Sequence, residues 1–139
     1  MTLASFTVLM ADDDFEDIEL IENAVTKLEP STSLHKVRSG KAAIDYLEKL
    51  NDNKLPCLII LDYNMPELTG PEVLAWICKQ KRYEKIPKIV LSTSRTTSYM
   101  NDSMNNGATE YFVKPHNMTE LATLAKKIVD YCRNGARIN

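Results

Sequence analysis

The sequence has 139 residues, of which 44% are hydrophobic and 26% are charged, and its formal net charge is −2. This length corresponds to one domain, and the composition excludes collagen-like, low-complexity and largely disordered chains. Because 17 basic residues are balanced by 19 acidic ones, the chain lacks the basic face that tight nucleic-acid binding usually needs. The sparse basic residues near the C-terminus are interpreted as a solvated helix face: Lys126, Lys127, Arg133 and Arg137.

The apolar segments of the chain are short. None approaches the roughly 18 to 20 residues that a membrane helix needs, and the N-terminal segment has no basic residue ahead of its apolar stretch. We therefore expect a cytoplasmic protein without membrane insertion. The three cysteines, Cys57, Cys78 and Cys132, lie in apolar patterns without a Cys-x-x-Cys motif, which predicts buried, reduced thiols.

Short apolar runs alternate five times with segments of helical period. Strands are predicted at 6–10, 34–37, 57–61, 88–92 and 110–113. Helices are predicted at 15–28, 41–50 and 97–106, with two more beginning at Gly70 and Asn117. The third strand is apolar at every position, which is typical of a parallel strand covered on both faces. The alternation predicts an α/β fold, with a five-stranded parallel sheet in a three-layer αβα sandwich.

Several residues mark the helix boundaries. Pro71 suits the first position of a helix, Gly107 suits a helix end, and Asn117 with Glu120 forms a capping box. In the first predicted helix, four apolar residues share one face: Ile18, Ile21, Val25 and Leu28.

Acidic residues follow the first and third predicted strands, where open parallel sheets form their sites. Asp14 and Asp17 are ordinary in the first turn of a helix, as N-cap and third helical residue, but Asp12 and Asp13 precede the helix. Together with Asp62, Asp12 and Asp13 would place three carboxylates in one crevice, which is costly unless a cation neutralises them. Oxygen ligands without His or Cys nearby favour a hard ion, most simply Mg²⁺.

Ser92 ends the fourth predicted strand and Lys114 follows the fifth. Taken singly, Ser92 could be an N-cap, a core hydroxyl or a ligand donor, and Lys114 could form an ion pair or bind a phosphoryl oxygen. Taken with the carboxylates, they form a phosphoryl site with a nucleophile, a metal, a hydroxyl and an ammonium.

These residues stand in a specific order and spacing. The motifs are Asp12-Asp13, Asp62-x-x-Met65-Pro66-x-x-x-Gly70 and Lys114-Pro115. Over about residues 6–133, the chain resembles the receiver domain of bacterial two-component response regulators, in particular single-domain regulators of the chemotaxis and phytochrome-associated types. The resemblance implies a flavodoxin-like (βα)5 fold, with one receiver domain over 1–139 and no output domain.

The resemblance also implies roles for individual residues. Asp62 would be the phospho-acceptor and a metal ligand. Asp13 would bind Mg²⁺ directly, Asp12 would act through bound water, and Asn64 would offer its backbone carbonyl.

Three further residues would bind or respond to the phosphoryl group. Ser92 would be the switch hydroxyl, Lys114 would bind a phosphoryl oxygen, and Tyr111 would be the switch aromatic. The peptide bond between Lys114 and Pro115 would be cis.

The implied function is a phospho-accepting signalling switch. A histidine kinase or phosphotransfer protein would donate a phosphoryl group to Asp62 in the presence of Mg²⁺. The surface formed by the fourth helix, fifth strand and fifth helix would then signal in trans, to a downstream protein target or through a homodimer. Only self-phosphorylation and auto-dephosphorylation are expected, so the protein is not predicted to be an enzyme. No nucleic-acid partner is expected.

Two alternatives belong to other functional classes. A Mg²⁺-dependent phosphohydrolase would carry a second acid two residues after its nucleophile, but Asp62 is followed by Tyr63-Asn64. A phosphorylation-independent interaction module with a receiver fold would usually lack an acceptor or a metal-binding acid, and both are present here.

A few residues depart from the usual pattern or leave two interpretations open. Thr93 follows Ser92, and its branched side chain is predicted to narrow access to Asp62. His116 is predicted on a surface loop. Met100 and Met104 share a helix face that is either core or a partner-binding surface.

Overall fold

Strands and helices alternate along residues 6–138, the part of the chain that the computed structural model describes, with side chains described for 6–135. The strands are β1 (Phe6–Ala11), β2 (Thr32–Val37), β3 (Leu58–Asp62), β4 (Lys88–Ser92) and β5 (Glu110–Val113). The helices are α1 (Phe15–Leu28), α2 (Gly40–Lys49), α3 (Gly70–Cys78), α4 (Thr97–Asn105) and α5 (Met118–Ile138). Single turns of 3₁₀-helix, Asp52–Lys54 and Lys81–Tyr83, precede β3 and β4.

The five strands form one parallel sheet in the order β2-β1-β3-β4-β5. The predicted α/β fold is therefore confirmed, and β3 is its central strand. All five residues of β3 are buried; the apolar run that ends at Leu61 predicts this for the first four, and the fifth is Asp62. Parallel pairing places the carboxyl ends of β1, β3, β4 and β5 at one edge of the sheet.

Helices cover both faces of the sheet, so the core has two halves. Leu58 and Ile60 point into the half that is packed by α1 and α5. Ile59 and Leu61 point into the half that is packed by α2 and α3. This alternation follows from the two-residue period of a strand, and it makes β3 part of both halves.

Most element boundaries lie within one residue of the prediction. Strand β2 begins at Thr32, two residues earlier than predicted, because the buried Thr32 pairs with Phe6 of β1. The first helix buries Ile18, Ile21 and Val25 as predicted, but Leu28 is 49% exposed because the helix ends there.

The prediction of three buried, reduced thiols was wrong. Cys57 and Cys132 form a disulfide that joins the chain just before β3 to α5, and Cys78 is exposed at the end of α3. Apolar surroundings predicted the burial of Cys132 correctly. They carry no information on pairing, which depends on the tertiary placement of residues 75 positions apart.

Four basic side chains were predicted to form a solvated face, and the three whose side chains are described are exposed on α5. Their partners are Asp130 for Lys126, Glu110 for Lys127 and Glu29 for Arg133. The side chain of Arg137 lies outside the described residues. Among the described helices, none combines the length and the apolar character required to cross a bilayer.

On α4, Met100 is 42% exposed and Met104 is 43% exposed. Their interpretation as core residues is therefore wrong, which leaves an exposed apolar strip on this helix. The described part of α4 carries no basic residue.

Candidate functional site

The ends of β1 and β3 bring three carboxylates together. Ala11 pairs with Leu61, so the residues that follow them, Asp12 and Asp62, lie side by side. Oxygens of Asp12, Asp13 and Asp62 all lie within 4.8 Å of one another. Asp12 and Asp62 are buried and Asp13 is exposed. The structure thus assembles the predicted acidic cluster, with one member open to solvent.

The donor set of this cluster fits a hard divalent cation. All three ligands are carboxylates, the groups that Mg²⁺ prefers, and their exposed side leaves room for the waters that Mg²⁺ retains. The two oxygens of Asp12 have different environments: Oδ1 accepts a hydrogen bond of 2.9 Å from the backbone N–H of Asp14. Buried Oδ2 accepts no hydrogen bond from the described residues and has an ion-pair contact of 3.0 Å with the Lys114 ammonium, so it can still accept a hydrogen bond from a metal-bound water.

Burial and mutual repulsion disfavour the simultaneous ionisation of Asp12 and Asp62. Burial, followed by the charge of Asp12, raises the pKa of Asp62 to about 7. Burial also raises the pKa of Asp12, although the backbone N–H of Asp14 and the Lys114 ammonium act in the opposite direction. Cations are therefore needed to keep both groups ionised, and one of them is supplied by the chain.

That cation is Lys114, which is only 9% exposed at the end of β5. Its Nζ lies 2.7 Å from Asp17 Oδ2, 3.0 Å from Asp12 Oδ2 and 3.5 Å from Asp62 Oδ1. The contact with Asp17 is a hydrogen bond, whereas the other two are ion-pair contacts. Burial alone would lower the pKa of Lys114, but these carboxylates hold it above its usual range.

Asp17 was missed as a site residue by sequence reasoning. Asp14 is the N-cap of α1, as predicted, and its carboxylate accepts from the backbone N–H groups of Glu16 (2.9 Å) and Asp17 (3.4 Å). The Asp17 carboxylate, however, binds Lys114, which is 97 residues away. The available signal was its position in the first turn of α1, which begins four residues after the end of β1.

Ser92 and Tyr111 lie on the neighbouring strands β4 and β5. Ser92 is 1% exposed, and its Oγ accepts a hydrogen bond of 3.0 Å from the backbone N–H of Ser94. Tyr111 is half-buried, and its hydroxyl donates to the carbonyl of Ser94 at 2.6 Å. Both predicted switch residues therefore contact the same residue in the loop between β4 and α4.

The loop between β3 and α3 turns back tightly after Asp62. The N–H of Gly70 donates to the carbonyl of Tyr63 at 2.9 Å. A Cβ at position 70 would lie 2.8 Å from the carbonyl oxygen of Asp62, so only glycine fits there without displacing the loop. Glu67 holds a left-handed backbone conformation with φ of 73°, which is costly for a residue with a side chain.

Tyr63, the residue after Asp62, connects this loop to α4. Its ring stacks on Tyr99 with centroids 4.2 Å apart, and its hydroxyl donates to Asp102 Oδ2 at 2.6 Å. This contact was also absent from the sequence prediction, because nothing in the sequence pairs a residue of the β3–α3 loop with α4.

Other predicted residues lie at the rim of the site. Asn64 and Thr93 are exposed, and His116 is exposed as predicted. The peptide bonds of the described residues are all trans, so the prediction of a cis bond between Lys114 and Pro115 was wrong. Trans is the lower-energy isomer of a bond that precedes proline.

Comparisons with known proteins give similar chains and similar folds. The chain is 31% identical over 129 residues to the probable methanogenesis regulatory protein FilR2 of Methanothrix harundinacea (strain 6Ac), a match that covers 91% of this chain and 83% of FilR2. It is similar to the phosphorylated cyanobacterial phytochrome response regulator RcpA, with 31% identity and a TM-score of 0.81 over 92% of this chain and 94% of RcpA. The Mn²⁺-bound form of response regulator Rcp1 is 28% identical, with a TM-score of 0.76 over 88% of this chain and 91% of Rcp1.

The family comparison covers most of the chain. The family model described as "Response regulator receiver domain" matches residues 8–126. This range includes the acidic cluster, Ser92 and Lys114. The sheet and its five helices form the flavodoxin-like fold of these receivers. The chain therefore belongs to the response regulator receiver domain family, whose members are phospho-accepting signalling domains of two-component systems.

Proposed function

We propose that this protein is a signalling switch that accepts a phosphoryl group on Asp62. The observation that carries the proposal is the position of Lys114: its buried ammonium lies 3.5 Å from Asp62 Oδ1, beside the acidic cluster. A carboxylate nucleophile next to a fixed cation, with metal ligands within 4.8 Å, is the arrangement that phosphoryl transfer needs. The solved structure of phosphorylated RcpA, 31% identical to this chain, supports the same chemistry.

In the proposed step, a carboxylate oxygen of Asp62 attacks the phosphorus of a phosphohistidine on a histidine kinase or phosphotransfer protein. An oxygen–phosphorus bond forms and the phosphorus–nitrogen bond breaks. The imidazole keeps the electron pair and takes a proton from solvent. Lys114 binds a phosphoryl oxygen, so it neutralises charge that remains on the phosphoryl group throughout the transfer.

The acidic cluster would hold the divalent cation through Asp12, Asp13 and Asp62, with Asp12 acting by way of a bound water and the backbone carbonyl of Asn64 as a further ligand. When bound, Mg²⁺ would neutralise the oxygens of the transferring group and the crowded carboxylates. The Mn²⁺-bound form of Rcp1, 28% identical to this chain, supports the binding of a divalent ion.

The output of the switch would be a rearrangement of α4, β5 and α5. The new phosphoryl oxygens would offer Ser92 Oγ an acceptor in place of its present role as acceptor from Ser94. Tyr111, which donates to Ser94, would respond to the same loop. The changed surface would signal in trans, to a downstream protein or to a second copy of this chain in the cytoplasm.

Loss of the phosphoryl group would reset the switch. Water attacks phosphorus, the acyl-phosphate bond breaks, and Asp62 and inorganic phosphate are released. This auto-dephosphorylation, with self-phosphorylation by small donors, is the catalysis that we assign to the domain.

The decisive experiment is intact-mass measurement after incubation with Mg²⁺ and a small acyl phosphate. One phosphoryl adduct is expected in the wild type and in Asp45→Asn, a half-buried acid on α2 that pairs with Lys41 and serves as the matched control. Asp62→Asn and samples with a chelator should carry none. No adduct in the wild type, with Mg²⁺ bound, would contradict the proposal and favour an interaction module. Repeated turnover of phosphate esters would favour a phosphohydrolase.

A further inference from the structure

Asp17 forms the shortest contact of the Lys114 ammonium, at 2.7 Å, and the proposed phosphoryl transfer does not require this contact. We propose that Asp17 is a positioning residue that competes with the phosphoryl group for Lys114, and so sets the affinity of the site for phosphoryl donors. This inference rests on the proposed function and concerns the regulation of the same site.

In this geometry, Asp17 is the main hydrogen-bond partner of the Lys114 ammonium. Of the three carboxylates around Nζ, Asp17 is nearest at 2.7 Å and is the one within hydrogen-bond geometry. Asp62, the proposed acceptor, is farthest at 3.5 Å. A hydrogen bond to a charged acceptor is strong and directional, so it draws the ammonium toward α1 and away from Asp62.

The charge around the ammonium creates the competition. Three carboxylates lie within 3.5 Å of Lys114 Nζ. A phosphoryl oxygen that binds Nζ must approach these negative groups, so its binding is favoured when one carboxylate moves away.

Asp17 is the carboxylate that can leave at the lowest cost. The Asp12 side chain has no exposed surface, so releasing it would leave a buried charge without its cation. The Asp17 side chain is 30% exposed, so water can replace the ammonium. Asp17 and Lys114 also line a cavity of about 310 Å³ between α1 and the start of α5, which gives the released side chain room to move.

The first test measures the rate of phosphorylation against the concentration of acetyl phosphate at saturating Mg²⁺. In Asp17→Asn the half-saturating concentration should fall about fivefold, the effect of one partly buried charge pair, while the maximal rate stays within about twofold. Glu16→Gln removes the same charge from the same turn, where Glu16 has no contact with Lys114, and should match the wild type. Asp17→Glu keeps the charge and should restore the wild-type value.

A second measurement needs no variant. In the wild type, the carboxyl carbon-13 signal of Asp17 should move when Mg²⁺ and beryllofluoride, a phosphoryl mimic, are added together, because Lys114 leaves it. The signal of Glu16 should stay. A stationary Asp17 signal in protein whose Asp62 signal reports saturation would overturn the proposal, even if Asp17→Asn fails to fold.

The possible results distinguish a failure of the proposed function from a failure of the role of Asp17 alone. If the wild type takes up no phosphoryl group, the proposed function fails. If the wild type is phosphorylated but Asp17→Asn and Glu16→Gln have equal half-saturating concentrations, only the role of Asp17 fails. A higher half-saturating concentration in Asp17→Asn would also contradict competition, since it would mean that Asp17 presents Lys114 to the donor.

Discussion

Lys114 Nζ lies 3.0 Å from Oδ2 of Asp12, a residue without exposed surface. The ammonium thus neutralises part of the charge that a metal at the acidic cluster would neutralise. Two cations that interact with the same carboxylates repel each other, so the removal of one should strengthen binding of the other.

We expect Lys114→Met to bind Mg²⁺ at least about fivefold more tightly than the wild type and, without metal, to be less stable by about 3 kcal/mol because it leaves buried carboxylates unpaired. Calorimetric titration with Mg²⁺ and urea unfolding with and without the metal measure both effects. Lys36→Met, which removes an exposed lysine paired with Glu22, is the matched control. Unchanged Mg²⁺ affinity in a folded variant would show that the two cations act independently.

The position of the backbone at Asp62 depends on the absence of a side chain at Gly70. We expect Gly70→Ala to destabilise the protein by about 1–3 kcal/mol and to slow phosphorylation, because its Cβ would lie 2.8 Å from the carbonyl oxygen of Asp62. Urea unfolding and the intact-mass assay measure these effects.

The control is Gly135→Ala in α5, where an added Cβ meets no atom within 4 Å. It should instead stabilise the protein by about 0.5–1 kcal/mol, the usual gain for this change inside a helix. Equal stability of the two variants would mean that the β3–α3 loop can accommodate a Cβ at position 70 without a loss in the free energy of unfolding.

Tyr131 of α5 donates a hydrogen bond to Glu110 of β5. Burial, together with this bond, raises the pKa of Tyr131 from 10.0 to about 12. The folded state therefore favours the neutral phenol. The stabilisation is complete below pH 10 and is lost as the pH rises from 10 toward 12.

Between these pH values, the free energy of unfolding should fall by about 1 kcal/mol more in the wild type than in Tyr131→Phe. Urea unfolding across the interval measures the difference. In Glu110→Gln, the spectrophotometric pKa of Tyr131 should move back toward 10.0. Parallel pH profiles for wild type and Tyr131→Phe would rule out this contribution.

The disulfide between Cys57 and Cys132 closes a loop with a sequence separation of 75 residues. Closing a long loop restricts the unfolded chain, so reduction should lower the free energy of unfolding by about 2–4 kcal/mol. Denaturation curves with and without a thiol reductant measure this.

Cys78→Ala removes the exposed free thiol and should keep the full response to reductant. Cys132→Ala should lose the response. If reduction leaves the stability of the wild type unchanged, the cross-link contributes nothing to stability under those conditions.

The sequence was sufficient to predict the strands, the helices and the acidic cluster. Strand β3 consists of four apolar residues followed by Asp62. Such a run is recognisable without tertiary information. Since parallel strands share one edge for their carboxyl ends, Asp12, Asp62, Ser92 and Lys114 could be placed together before any distance was known.

Contacts between distant side chains could not be predicted in this way. The hydrogen bond from Lys114 to Asp17 joins residues 97 positions apart, and it depends on how α1 crosses the strand ends. Periodicity places Asp17 on an exposed first turn, where a capping role explains it equally well. The stack of Tyr63 on Tyr99 depends in the same way on how the β3–α3 loop packs against α4, which local patterns do not describe.

That stack has a mechanical consequence. Tyr63 is covalently joined to Asp62, and it is attached to α4 twice, through the ring of Tyr99 and the carboxylate of Asp102. The planar peptide bond between Asp62 and Tyr63 makes this connection short and stiff. Helix α4 can therefore shift only by carrying Tyr63 along, which turns the chain next to Asp62, or by breaking these attachments. While the attachments hold, a partner that pulls on α4 would therefore also move the backbone beside Asp62.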